Sequence, residues 1–567
     1  MTEATPDTAA STDPSDGSSR HTLRAWVFWP AAAIALAFIS FALIFPAAAE
    51  AAFGTLQTAI VSAFNWYYVL IAAFFVVFAL TMGFSRFGRI KLGRDDDEPE
   101  FSTLSWFSLL FAAGMGIGLV FYGVSEPLSH FTSPRPGVEG TPTQLAQQAM
   151  SQTFLHWGVH AWSIYVVIGL ALAYAFHRRQ RPRTIRWALE PILGARLVQG
   201  GWGNAVDVAA LVGTLFGVAT SLGLGVIQIS AGLEFLDVAS PSIISQAILI
   251  GVITAFVLFS VLSGVGRGMK WLSNINLVLA GVLMLYLLFA GPTEFLLRDA
   301  VQSIGNYIQN FVGLSFTTSA YAGDAGVAWQ GAWTAFYWGW WISWAPFVGI
   351  FIARISRGRT VREFVTGVIL VPTLVGILWF TVLGGSAIYA ELTDSASFVG
   401  PDGTVDVSTA LFQMLETVPG SVFLVVGFLL LIGIFFITSA DSGALVMSMI
   451  ATGGEEEPPR WTRVFFTLAT SVIAFALLIA GGLTALQAAA ISIALPFSLV
   501  LLAICWATVV AFRRELRARD RAERARLRDQ IGEHYGLEVE EENRRGIFGL
   551  PARWRRHRPA DTDAPVG

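Results

Sequence analysis

The chain has 567 residues, 54% of them hydrophobic and 13% charged, with a mean hydropathy of +0.61 and a formal net charge of −4. Ordinary soluble proteins carry about 25% charged residues, so this composition excludes a water-soluble globule, and the near-neutral balance argues against a nucleic-acid partner. The apolar stretches are continuous rather than alternating, which excludes a membrane β-barrel and leaves an all-α, multi-pass membrane protein.

Residues 1–25 are rich in Ser, Thr, Asp and Ala and predict a disordered cytoplasmic tail. Twelve apolar spans follow, each long enough to cross a hydrocarbon layer of roughly 30 Å. They cover 26–46, 63–84, 103–124, 148–175, 203–233, 241–263, 274–291, 331–353, 365–389, 421–450, 464–482 and 486–511. The first ends in Ala47-Ala48-Ala49, a small-residue run like that of a signal peptide, but its apolar region is too long for one and reads as a retained helix. Numbering the loops alternately from a cytoplasmic N-terminus puts 34 of the 36 Arg and Lys residues on the cytoplasmic side, leaving Arg135 and Arg298 outside. By the positive-inside rule this predicts an inner (plasma) membrane protein with both termini cytoplasmic.

The third span contains Gly114, Gly116 and Gly118 within five residues. Each weakens a helix by roughly 1 kcal/mol relative to Ala, and interrupted helices near the midplane expose backbone groups to solute and ions in secondary transporters. Close helix packing through small residues is the competing reading. Glu126 closes this span and Asp207 opens the fifth; both read as capping or pairing at helix ends. The fourth span carries Trp157, Trp162 and Tyr165, spread over about 140° of an ideal helix, with His156 and His160, which lack a third metal ligand. Residues 300–325 predict an amphipathic helix on the outer surface.

The eighth span holds five of the 19 tryptophans within twelve residues, Trp333 to Trp344. Trp333, Tyr337, Trp340, Trp341, Trp344 and Phe351 share a face about 100° wide that climbs about 27 Å, more than an interfacial belt explains. Ring faces suit a quaternary ammonium, which has no N–H to donate, at roughly 0.5 to 2 kcal/mol per contact. Gly339, Pro346 and Gly349 interrupt this span five spans after the third, the spacing of an inverted five-plus-five repeat covering spans 3 to 7 and 8 to 12. In the tenth span Thr438, Ser439, Asp441 and Ser442 offer hard oxygen ligands to an alkali cation, unless the hydroxyls bond back to the helix. The single cysteine, Cys505, excludes an intramolecular disulfide, and the Walker A, nucleophile-elbow and His-Glu-x-x-His motifs are absent, which argues against an enzyme. Residues 513–567 form a cytoplasmic tail whose Arg513–Arg528 stretch, interleaved with Glu and Asp, reads as a solvated helix and as a candidate sensor of anionic membrane lipid or salt.

The strings at 114–127, 156–165, 333–359 and 435–442 resemble those of the betaine/choline/carnitine transporters. The resemblance implies a LeuT-type fold with two extra N-terminal helices, a homotrimer, and alternating access for trimethylammonium solutes. By position it makes Trp157, Trp162, Tyr165 and Trp341 the aromatic box, with Trp340 and Trp344 along the path. Ala112, Met115 and Phe435 by carbonyl, and Thr438 and Ser439 by hydroxyl, look like the second sodium site. Thr214 and Phe347 match parts of the first, but Val218 replaces a threonine of the sodium-coupled members. Gly118 stands where choline-type members place an Asp, which leans toward a zwitterionic betaine. The sodium-independent exchangers place a basic side chain in an ion site, and these spans contain no Arg or Lys. The expectation is a sodium-coupled importer of glycine betaine or a related solute in osmotic stress, with no cofactor beyond the coupling ion. The alternatives are a choline- or carnitine-type carrier, a sodium-independent exchanger and a passive channel.

Overall fold

The computed structural model describes residues 23–114, 116–263, 266–401, 403–535, 537–539 and 554–556. The helices in chain order are α1 (Ala25–Ile44), α2 (Pro46–Phe84), α3 (Thr103–Gly114), α4 (Ile117–Thr132), α5 (Pro142–Trp157), α6 (Val159–Ala173), α7 (Glu190–Gln199), α8 (Gly201–Phe235) and α9 (Ile243–Ser263). They continue as α10 (Gly266–Ala290), α11 (Thr293–Ser315), α12 (Gly323–Ala332), α13 (Thr334–Arg354), α14 (Val361–Leu392), α15 (Ala410–Glu416), α16 (Ser421–Ala451), α17 (Arg460–Ile479) and α18 (Gly482–Tyr535). Two three-residue strands near the C-terminus, Leu537–Val539 and Trp554–Arg556, pair antiparallel.

Eleven helical segments among the described residues are long and apolar enough to cross a membrane. The remaining predicted span, the third, is divided into α3 and α4, each too short to cross alone. Helix starts follow local chemistry. Thr141 and Gln144 form a capping box at α5, with Pro142 in the first turn, and Thr360 and Glu363 form another at α14. The second span is longer than predicted because Pro46, favourable at a helix's first position, starts α2 at once.

Burial separates an inner from an outer layer. The apolar windows of α5–α6 and α8 are 94% and 89% buried, those of α9 and α10 only 22%. The tryptophan-rich α13 packs on α6, α8 and α18, and a Cβ at Gly339 would lie 2.9 Å from the Ile491 backbone of α18, so a glycine sets that approach. The predicted amphipathic element is α11. It starts earlier than expected, buries Leu296 and Tyr307, exposes Val301, Ile308 and Val312, and donates from Asn306 to Ser151 of α5 at 2.8 Å.

Segments rich in Arg and Lys meet at one end of the bundle. Arg178 donates to Asp95 at 2.8 Å and to Glu515 at 3.1 Å, Arg519 reaches Asp95 at 2.6 Å, and Arg183 meets Glu456 at 2.8 Å. The Arg178 hydrogen bonds hold the Asp95 carboxyl below the usual carboxylate range. Nearby, Arg186 and Asp207 form an ion pair at 2.6 Å that is 4% and 0% exposed, and the Arg186 backbone N–H donates to the other Asp207 oxygen at 3.0 Å. The expected end-of-helix role of Asp207 is therefore a buried pair. Asp207→Asn leaves a buried guanidinium without its counter-charge, which costs about 3–5 kcal/mol. The variant is expected to melt well below the parent in detergent; an equal melting temperature would reject this account.

Candidate functional site

Two helix breaks build the site. α3 ends at Gly114, Met115 lies outside the described residues, and α4 begins at Ile117 after an extended Gly116 (φ −159°) with no side-chain cap. Leu119 N–H donates to the Gly116 carbonyl at 3.2 Å, while the N–H groups of Ile117 and Gly118 have no acceptor within α4. They sit at a cavity bordered by Gly116, Ile117, Gly118 and Leu119. Gly118 admits no side chain, because a Cβ there would lie 2.2 Å from Cη2 of Trp340.

The second break is at Gly158, between α5 and α6, where a Cβ would lie 2.5 Å from the Phe154 carbonyl oxygen. The wide spread of Trp157, Trp162 and Tyr165 on an ideal helix does not apply across it. All three face the same cavity as Trp340, Trp341 and Trp344 of α13, with Ser221 of α8 and Pro372, Val375 and Gly376 of α14. Trp340 and Trp341 stack at 4.7 Å, Trp157 meets Trp341 edge-on at 4.9 Å, and Trp162 meets Tyr165 at 5.4 Å. Trp340 Nε1 donates to Ser221 Oγ at 3.1 Å and Trp341 Nε1 to the His156 carbonyl at 2.8 Å, which fixes both ring planes. Trp333 lies apart from this cavity and packs on His130.

Behind the rings is a residue the sequence reading left as a helix-end group. Glu126 is fully buried; it accepts hydrogen bonds from Trp157 Nε1 and His156 Nδ1, each at 2.6 Å, from His130 Nε2 at 3.3 Å and from the Tyr337 hydroxyl. Glu126, His130 and His156 place donor atoms within 4.8 Å of one another, a spacing compatible with a metal, but these hydrogen bonds already engage those atoms. The trio uses His156 without its expected companion, as His160 stacks on Trp338 instead. A usable signal was present: a carboxylate in an apolar span with a histidine at i+4.

A second cavity is lined by Phe435, Thr438, Ser439 and Ser442 of α16, Trp344, Phe347 and Phe351 of α13, and Ser273 and Asn276 of α10. It brings Phe347, expected at the first ion site, beside residues expected at the second. Thr214 is buried in α8 and donates to the Ala210 carbonyl at 2.8 Å. Thr438 donates to the Ile434 and Phe435 carbonyls at 2.9 and 3.2 Å, the back-bonding alternative. Ala112 belongs to α3. Asp441 pairs with Arg463 of α17 at 2.9 Å, so a basic residue does reach a carboxylate that the sequence reading offered to a cation. Asn276, not singled out by sequence, borders this cavity 2% exposed with neither amide atom bonded. Trp344 borders both cavities.

Residues 26–517 match the model of the betaine/carnitine/choline family of transporters. The chain is 50% identical to an uncharacterized transporter of Mycobacterium tuberculosis over 87% of its own length and 84% of the relative's. It is 43% identical to a glycine betaine transporter of Bacillus subtilis, covering 88% of this chain and 96% of that one. Identity to a high-affinity choline transport protein of Escherichia coli is 38%, over 90% of this chain and 76% of that one.

Proposed function

Because the chain belongs to the betaine/carnitine/choline transporter family, whose members are transporters and not enzymes, we propose that it is a sodium-coupled importer of glycine betaine or a related quaternary-ammonium solute. The observation that carries this reading is a cavity with two unlike poles. One is the ring wall of Trp157, Trp162, Tyr165, Trp340 and Trp341; the other is the start of α4 at Gly116–Gly118. Ring faces attract a trimethylammonium group, and free N–H groups at a helix start attract a carboxylate. A zwitterion satisfies both. The cavity lining contains no acidic side chain, so a solute that brings its own carboxylate suits it better than choline. Relatives named as glycine betaine transporters point the same way.

The second cavity, with Phe435, Thr438, Ser439 and Asn276, is the proposed seat of the coupling sodium, with Ala112 and Met115 of the third span completing it by resemblance. In this reading Thr438 turns its hydroxyl from the helix carbonyls toward the ion. The first ion site, with Thr214 and Phe347, is the weaker half of the resemblance, as Val218 supplies no hydroxyl. Each sodium carried inward contributes about 2.3 kcal/mol per 100 mV of membrane potential, enough for roughly fiftyfold accumulation. The family resemblance adds a LeuT-type repeat and a homotrimer, and the positive-inside bias supports reading both termini as cytoplasmic. Osmotic activation through the charged extension of α18, in contact with anionic lipid, completes the proposal.

The experiment is uptake of labelled glycine betaine into proteoliposomes with an inward sodium gradient. Replacing sodium by potassium is expected to reduce uptake to the level of empty vesicles; undiminished uptake would refute the coupling. Competition by unlabelled choline, carnitine and ectoine separates this reading from a choline- or carnitine-type carrier. Uptake that instead depends on preloaded solute identifies an exchanger.

A further inference from the structure

The aromatic cavity has a negative charge behind its wall. Glu126 is 0% exposed, and the four groups that donate to it are an indole, a phenol and two imidazoles. Each imidazole donates to the carboxylate through one ring nitrogen. His156 donates from Nδ1, while its Nε2, with one lone pair, accepts from Gln152 Nε2 at 3.1 Å, and Thr334 Oγ1 lies at the same distance. His130 donates from Nε2 and has no partner at Nδ1. Among the described residues no Arg or Lys pairs with this carboxylate; Arg135 lies farther out, with His130, on a polar vestibule. Four donors thus satisfy the oxygens while the negative charge stays in place.

That charge reaches the cavity through a ring. Trp157 has its Nε1–H on Glu126 and borders the cavity beside Trp341. A hydrogen-bonded chain is polarised along its length in a low-dielectric interior. An indole donating to a carboxylate therefore becomes richer in electrons, and its face holds a cation more strongly. Tyr337 donates to the same oxygen and lies 5.5 Å from Trp157 and 5.8 Å from Trp341.

We propose that Glu126 is a specificity-determining, positioning residue: its charge, relayed by the indole of Trp157, makes the cavity prefer a trimethylammonium head over an uncharged tert-butyl head of the same shape. The proposal deepens the betaine-transport reading and rests on it.

The test measures binding to the full-length chain in nanodiscs by tryptophan fluorescence, with glycine betaine and its uncharged-head isostere tert-butylacetate as probes. The parent is expected to favour glycine betaine, and Glu126→Gln to reduce that preference about tenfold, with the affinity for tert-butylacetate within about twofold of the parent's. Equal weakening of both ligands, the mark of a purely structural prop, overturns the proposal, as does an unchanged preference. Trp157→Phe keeps a ring but removes the N–H; in this second variant, with the carboxylate intact, the preference is expected to fall as well, and its retention overturns the relay even where Glu126→Gln fails to fold. A parent that binds neither ligand overturns the cavity reading, and this proposal with it.

Discussion

Trp341→Ala is expected to abolish measurable high-affinity uptake while the chain still reaches the membrane. Trp341 stacks on Trp340 at 4.7 Å, meets Trp157 at 4.9 Å and Tyr165 at 6.4 Å, and is locked by its hydrogen bond to the His156 carbonyl at 2.8 Å. Within the cavity wall it is a ring of α13 that meets rings of both α5 and α6. Its loss removes a cation–π contact of roughly 0.5 to 2 kcal/mol, about two- to thirtyfold in apparent affinity, and the neighbouring rings, freed to turn, add to that loss. Trp338 is the control. It is 2% exposed, packs on His156 and His160, and lies outside the cavity lining. Trp338→Ala is expected to lower surface expression and leave the KM of the surviving transporter near the parent's. Initial rates over a range of glycine betaine, normalised to surface protein, separate the two; an unchanged KM in Trp341→Ala would sink the aromatic-box account.

A single methyl at position 118 should be almost as damaging. The Cβ of Gly118→Ala would lie 2.2, 3.0 and 3.1 Å from three ring atoms of Trp340. The ring has little room to yield, since it stacks on Phe336 at 5.4 Å and on Trp341 at 4.7 Å and is tied to Ser221. Overpacking of this kind costs about 1–3 kcal/mol, and here the displaced group is part of the cavity wall. Uptake is expected to be nearly lost with only a modest fall in melting temperature. Gly118→Ala with the parent's KM would show that Trp340 moves aside freely and that its position is not critical. The same geometry opposes an aspartate at 118.

Much of this was legible in the sequence because the membrane simplifies the reading. Apolar length marks the spans, the asymmetry of Arg and Lys orders the loops, and three glycines in five residues announce the break after Gly114. The tryptophans of α13 were found by crowding. The break at Gly158 was not, because one glycine in an apolar run carries no distinctive signal, and without it Trp157 and Tyr165 point apart. Glu126 was undervalued because its partners lie on three helices: His130 follows one turn later, but His156, Trp157 and Tyr337 come from α5 and α13. The bond between Asp441 and Arg463 likewise depends on how α16 and α17 pack. The span limits also concealed it, since Arg463 stands one residue before the predicted start of its span.

α18 is 54 residues long, about 81 Å, and its part beyond Phe512 runs out of the bundle at the charged end. It is moored there by contacts of unequal shelter. Arg178 and Glu515 have side chains only 15% and 14% exposed, whereas Arg519 and Asp95 are 35% and 69% exposed. Dissolved ions weaken the exposed pair more than the sheltered one, because charges held within the protein are screened much less than charges in water. Added salt is therefore expected to loosen the Arg519–Asp95 contact before the Arg178–Glu515 contact, a graded release that ends at Arg178.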